Sequence, residues 1–88
     1  MRSQAPAEFW LHFDRLPADI QRLAKKNFSL FAEDSSHPSL RFKPFHGSLW
    51  SARIGEHYRA VARKDAECWT WFWIGTHEAY NKLGKQLR

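Results

Sequence analysis

The sequence has a single cysteine, Cys68, and only nine acidic residues against fourteen Lys and Arg. One thiol cannot close an intrachain disulfide, so packing must hold the fold, and a reducing compartment, the cytoplasm, is the expected setting. No stretch approaches the roughly 18 consecutive apolar residues of a membrane span. The opening Met1-Arg2-Ser3-Gln4-Ala5-Pro6 has no apolar core segment, so neither a signal peptide nor membrane insertion is expected. Internal repeats, low-complexity tracts, Gly/Ser linkers and a Gly-rich phosphate loop are all missing. The five histidines, at positions 12, 37, 46, 57 and 77, show none of the paired spacing of a zinc site, so no metal and no cofactor are expected.

Aromatic residues are plentiful instead. Five Trp and seven Phe in 88 residues exclude a disordered tail, which would be poor in aromatics. A chain of this length builds one hydrophobic core, so residues 1–88 are read as a single domain. The net charge of +5 is unevenly spread: Arg41, Lys43, Arg53, Arg59, Arg63 and Lys64 lie in one stretch whose single acid is Glu56. A positive surface of that kind suits polyanions, because neutralising phosphates releases condensed counterions. A solvated basic face with no ligand is the plain alternative.

Periodicity divides the chain near Pro38. Ser3 is read as the cap of a first helix with Pro6 in its first turn, and Phe9, Trp10, Phe13 and Leu16 make one apolar stripe at helical spacing. Pro17 opens a second helix carrying Ile20, Leu23, Ala24, Phe28, Leu30 and Phe31, which stops near Asp34-Ser35-Ser36-His37-Pro38. A period of two follows. Leu40 and Phe42 alternate with Arg41 and Lys43 in a short strand, and His46-Gly47 forms a turn. Trp50, Ala52 and Ile54 then alternate with Leu49, Ser51 and Arg53. Gly55-Glu56 leads into a strand from Tyr58 to Arg63, and 64–67 turn again. The last strand, Cys68 to Ile74, is apolar on both faces and carries Trp69, Trp71 and Trp73 at a period of two, a set suited to packing or to stacking on bases. Thr76 caps a short C-terminal helix from His77 to about Leu83. The expected fold is α+β: two N-terminal helices on one face of a four-stranded antiparallel sheet, then a short helix. Phe9, Phe13, Leu23, Phe31, Trp50 and Ile54 are the expected interior.

Three segments carry a family likeness. His37-Pro38-Ser39-Leu40-Arg41-Phe42-Lys43 resembles a "Pro-x-Leu-x-x-Lys" lead into the first strand. Trp50-Ser51-Ala52-Arg53-Ile54-Gly55-Glu56-His57-Tyr58-Arg59-Ala60-Val61 is similar to a "Tyr-Arg-x-Arg-x-Gly-x-Tyr-Arg-x-x" hairpin. Ile74-Gly75-Thr76-His77-Glu78-Ala79-Tyr80 resembles an "Ile-Gly-His-x-x-x-x-Tyr" closing segment. With the element order, these resemble the RelE/ParE superfamily of bacterial type II toxin–antitoxin toxins. Two departures stand out: the last strand bears tryptophans where such toxins often carry basic residues, and Thr76 shifts the histidine by one place.

The resemblance implies a toxin that cuts mRNA without metal, with the ribosome supplying part of the site and a cognate antitoxin as partner. Such chemistry needs a proton acceptor for the attacking 2′-OH, cations for the phosphorane and a donor to the leaving oxygen. The candidate catalytic residues are Arg53, whose planar fork matches phosphate oxygens, with His77 and Tyr80, three apart on one helical face. A histidine serves as acid or base near neutral pH, and a tyrosine donates a proton or stacks. Arg41, Lys43, Arg59 and His46 are candidate RNA contacts, with a structural ion pair the alternative for Arg59 and a plain turn residue the alternative for His46 and His57. Cys68 reads as a buried small residue. Two other functions stay open: a non-catalytic ParE-like toxin that binds a protein such as DNA gyrase, and an interaction module of the same fold. The pair His77 and Tyr80 favours the ribonuclease.

Overall fold

The structure, a computed structural model, describes residues 2–87. Chain order is β1 (Arg2–Gln4), α1 (Ala7–Phe13), α2 (Ala18–Glu33), a 3-10 turn (Pro38–Leu40), β2 (Lys43–His46), β3 (Leu49–Ile54), β4 (Tyr58–Asp65), β5 (Cys68–Thr76) and α3 (His77–Gln86). The strands form one sheet in the order β1-β5-β4-β3-β2. From β2 to β5 it is the expected antiparallel meander.

The fifth strand is a correction. Ser3 does not cap a helix; it lies in β1, which pairs in parallel with β5 through Ser3↔Trp69 and Gln4↔Thr70. The polar tripeptide has no periodicity to announce a strand. Its identity comes from the free edge of β5, whose backbone groups need partners, and Gln4 Nε2 reinforces the pairing by donating to Thr70 Oγ1 at 3.1 Å. Pro6 then occupies the N-cap of α1, and Pro17 that of α2.

One sheet face carries Trp50–Ala62–Trp71 and Ala52–Ala60–Ile74 in cross-strand rows. Alanines there leave room for the aromatics of the helices: Phe9, Phe13, Phe31 and Ala24 are buried against this face with Ala52, Ile54, Ala60, Ala62 and Ile74. Phe31 stands edge-on to Phe42 and Trp71 at centroid distances of 4.9 and 5.2 Å. Leu23 and Trp50, expected inside, are partly buried and pack on this core. Trp10 departs from the expected stripe: it is 42% exposed, its indole N–H donating to the Ala5 carbonyl at 3.0 Å.

Two further local differences matter for the site. Leu40 does not begin the first strand. It is buried in the 3-10 turn, and Arg41 follows in the left-handed region at φ 44°. The tryptophans of β5 do not share a face. Between Val61↔Trp73 and Ala62↔Trp71 the register shifts by a β-bulge at Phe72, so side chains beyond it change sides. Trp69 and Trp71 are buried in the core, and Ile74 takes the place that strict alternation gives to Trp73.

Candidate functional site

The opposite sheet face holds the charge. Strand alternation puts Lys43, Ser51, Val61 and Trp73 in one cross-strand row and Arg53, Arg59 and Gly75 in the next. Arg41, at the left-handed turn before β2, adds its side chain. Arg41, Lys43, Ser51, Arg53 and Arg59 together line a cleft of about 190 Å³. Among the described residues the one ion pair is Arg63–Asp65, 3.2 Å between Nε and Oδ2, so none of the four cations in the cleft has a carboxylate partner. The ion pair considered for Arg59 is absent among those residues.

Backbone carbonyls hold the two arginines instead. Arg53 Nε donates to the Gly55 carbonyl at 3.0 Å, and an Arg59 guanidinium nitrogen donates to the Tyr58 carbonyl at 2.7 Å. These anchors restrain the guanidinium groups while leaving other N–H donors for a ligand. Arg53 and Arg59 are direct cross-strand partners, a like-charge pairing that works against the sheet. The affinity of Arg59 for its proton is lowered first by burial and then by Arg53 and Arg41, with Tyr80 opposing. A cleft of unpaired cations that repel each other is relieved by an anion.

One wall of this face is α3. Thr76 caps it as expected, its hydroxyl accepting from the Ala79 N–H at 3.1 Å. Tyr80 lies half-buried, its ring stacked on Phe45 with centroids 4.5 Å apart and planes at 22°. The Tyr80 hydroxyl donates to Ser51 Oγ at 3.0 Å and so reaches the floor of the cleft. His77 is exposed, its ring facing that of Tyr80 at 6.0 Å, and it borders an adjoining hollow with His57, Tyr58, Thr76 and Glu78. The His77 backbone N–H donates to the His57 carbonyl at 2.8 Å, tying α3 to the β3–β4 turn.

Of the residues singled out in the sequence, Arg41, Lys43, Arg53 and Arg59 come together in the cleft. Tyr80 touches it through Ser51, and His77 stands one hollow away. His46 does not line it: it sits beside Phe45, its Nε2 close to Gly84 of α3. Ser51, which is not among the expected site residues, lines the cleft too, its parity with Arg53 placing it on the same face. No three His, Cys, Asp or Glu among the described residues are grouped to hold a metal ion.

The fold has solved relatives. The YoeB/ParE toxin from Agrobacterium tumefaciens is similar with a TM-score of 0.67 and 16% identity, over 88% of this chain and 99% of that one. The RelB-RelE antitoxin-toxin complex from Methanococcus jannaschii contains a chain similar with a TM-score of 0.72 and 12% identity, over 90% and 95%. YafQ from E. coli gives 0.72 and 10%, over 91% and 98%. At these identities the likeness is one of fold. No curated protein sequence matches the chain. The family model of the ParE-like toxin domain, however, matches residues 18–82, a span containing α2, the whole meander and the cationic cleft. The chain therefore belongs to the ParE-like toxin domain family.

Proposed function

We propose that this toxin is a metal-free endoribonuclease that cuts mRNA, with the ribosome completing the site, and that a cognate antitoxin restrains it in the cytoplasm. The observation that carries this reading is the cleft of four cations without a carboxylate partner among the described residues. A scissile phosphate seated there meets Arg53 and Arg59 from two strands, with Arg41 and Lys43 at its edge. In the reaction the ribose 2′-oxygen forms a bond to phosphorus, the bond from phosphorus to the 5′-oxygen breaks, and a 2′,3′-cyclic phosphate results. The cations stabilise the phosphorane as its charge develops. His77 is the proton-transfer candidate in reach of the adjoining hollow, and Tyr80 beside it fixes the hydroxyl at the cleft floor. The proton of the 2′-OH leaves to a base, and one is returned to the 5′-oxygen.

An antitoxin segment of acidic or amphipathic character fits the same cleft and would block it. The relative from Methanococcus jannaschii is a toxin seen with its antitoxin, and association here should weaken with added salt because it rests on charge.

A second reading has its own support. The matching family model is ParE-like, and the resemblance links that branch to a protein target such as DNA gyrase. His77 stands outside the cleft, which suits a non-catalytic toxin. Induced expression in a bacterium separates the two. Growth arrest with a cut reporter mRNA supports the ribonuclease, while growth arrest with intact mRNA and damaged DNA supports the gyrase-directed toxin.

A further inference from the structure

Ser51 combines three properties on the cationic face. It is 1% exposed, it forms the floor between Arg41, Lys43, Arg53 and Arg59, and its Oγ accepts the Tyr80 hydroxyl at 3.0 Å. Lys43 is its cross-strand partner on one side and Val61 on the other. The four cations supply charge from the walls, and Ser51 adds a short hydroxyl from the strand between them. A hydroxyl on a strand floor aims well.

A serine hydroxyl has one proton and accepts as well. Because the Tyr80 proton is directed at Ser51, the Ser51 proton is the one left for the cleft. Accepting a hydrogen bond also polarises a hydroxyl and makes it a stronger donor. The aim of Tyr80 is itself fixed, since its ring is stacked on Phe45. Tyr80 is therefore spent on Ser51 and does not face the anion.

We infer that Ser51 is a phosphate-contacting residue, donating its O–H to a non-bridging oxygen seated between the four cations, and that Tyr80 is a positioning residue acting through it. This rests on reading the cleft as a phosphate site. It assigns the directional hydrogen bond of the site to a serine, and moves Tyr80 from proton donor to support.

The test is a pair of variants and their combination, Ser51→Ala and Tyr80→Phe, titrated with inorganic phosphate by NMR at fixed low salt, with RNA cleavage measured on the same samples. Losing a hydrogen bond to a charged group should weaken phosphate binding about tenfold or more in Ser51→Ala. Tyr80→Phe keeps the stacked ring and should weaken it about threefold, the range of a lost neutral hydrogen bond. On the Ser51→Ala background, Tyr80→Phe should change nothing, because its action passes through the missing hydroxyl. Should Ser51→Ala fail to fold, Ser51→Cys keeps the shape with a much weaker donor and carries the same expectation.

Equal losses from Tyr80→Phe in both backgrounds overturn the inference, since Tyr80 then acts on the anion directly. Phosphate binding unchanged in Ser51→Ala overturns it too, as does a wild type that binds no phosphate. Non-additive binding losses without RNA cleavage by the wild type support the inference and remove the ribonuclease reading. Cleavage that ignores Ser51 removes the inference alone.

Discussion

Arg53 and Arg59 face each other across β3 and β4 with no carboxylate paired to either among the described residues. Burial and then the neighbouring Arg53 lower the affinity of Arg59 for its proton, and the like-charge pair is one that a bound anion would relieve. Arg59→Gln should therefore leave the fold intact and raise its stability at low salt by about 0.5 kcal/mol, the scale of an opposed like-charge pair. The gain should shrink as salt screens the repulsion. RNA cleavage by the same variant should drop by about 10² or more, as when a single oxyanion donor is removed. Thermal melts at two salt concentrations check the first half, and a marked loss of stability at low salt would contradict it. The cluster itself was readable in the sequence, because Arg41, Lys43, Arg53 and Arg59 fall in one basic stretch and alternation aligns Arg53 with its neighbours. Ser51 was not, since a short polar residue beside a tryptophan carries no charge to mark it. Its hydrogen-bond partner at the cleft floor is Tyr80, 29 positions further along the chain.

Two elements hold the site in shape. Gly55 lies at φ +65°, and a Cβ there would stand 2.9 Å from Leu23 Cδ2 on α2. The β3–β4 turn thus needs glycine for its left-handed backbone, and a Cβ there would also displace the end of the Leu23 side chain. Gly55→Ala should cost about 1–3 kcal/mol and displace the carbonyl that anchors Arg53, lowering stability and activity together; denaturant melts check it. Thr76→Ala removes the cap of α3 and should cost about 1 kcal/mol. Its effect should appear as faster amide exchange at Ala79, with the core strands still protected, and faster exchange throughout would mean that α3 is no separate unit. The Thr76 cap and the turn glycine were legible because each depends on a local residue preference. The bulge at Phe72 and strand β1 were not. The bulge leaves the apolar composition of β5 unchanged while reversing Trp73 against Trp71, and β1 exists because distant β5 offers an edge.

At the scale of the molecule the sheet separates two tasks. One face buries aromatics and alanines under α1 and α2, while the other gathers the cations beside α3. The change of period near Pro38 made this division visible, since helices and hairpins announce themselves by 3.6 and 2. How near His77 comes to the cleft was beyond that reading, because α3 is placed by the packing of Tyr80 and Gly84 on Phe45 of β2. A surface with net charge +5 should bind its antitoxin and RNA with affinities that fall steeply as salt rises, and a titration across salt concentrations showing a flat response would argue for an apolar interface. The most direct test of the central claim is to incubate the purified toxin with ribosomes carrying a defined mRNA and to analyse the new 3′ ends. The account predicts 2′,3′-cyclic phosphate ends from the wild type without added metal, and cleavage reduced by about 10² or more in Arg53→Ala with the fold intact. Intact mRNA with the wild type, or wild-type cleavage by Arg53→Ala, would contradict it.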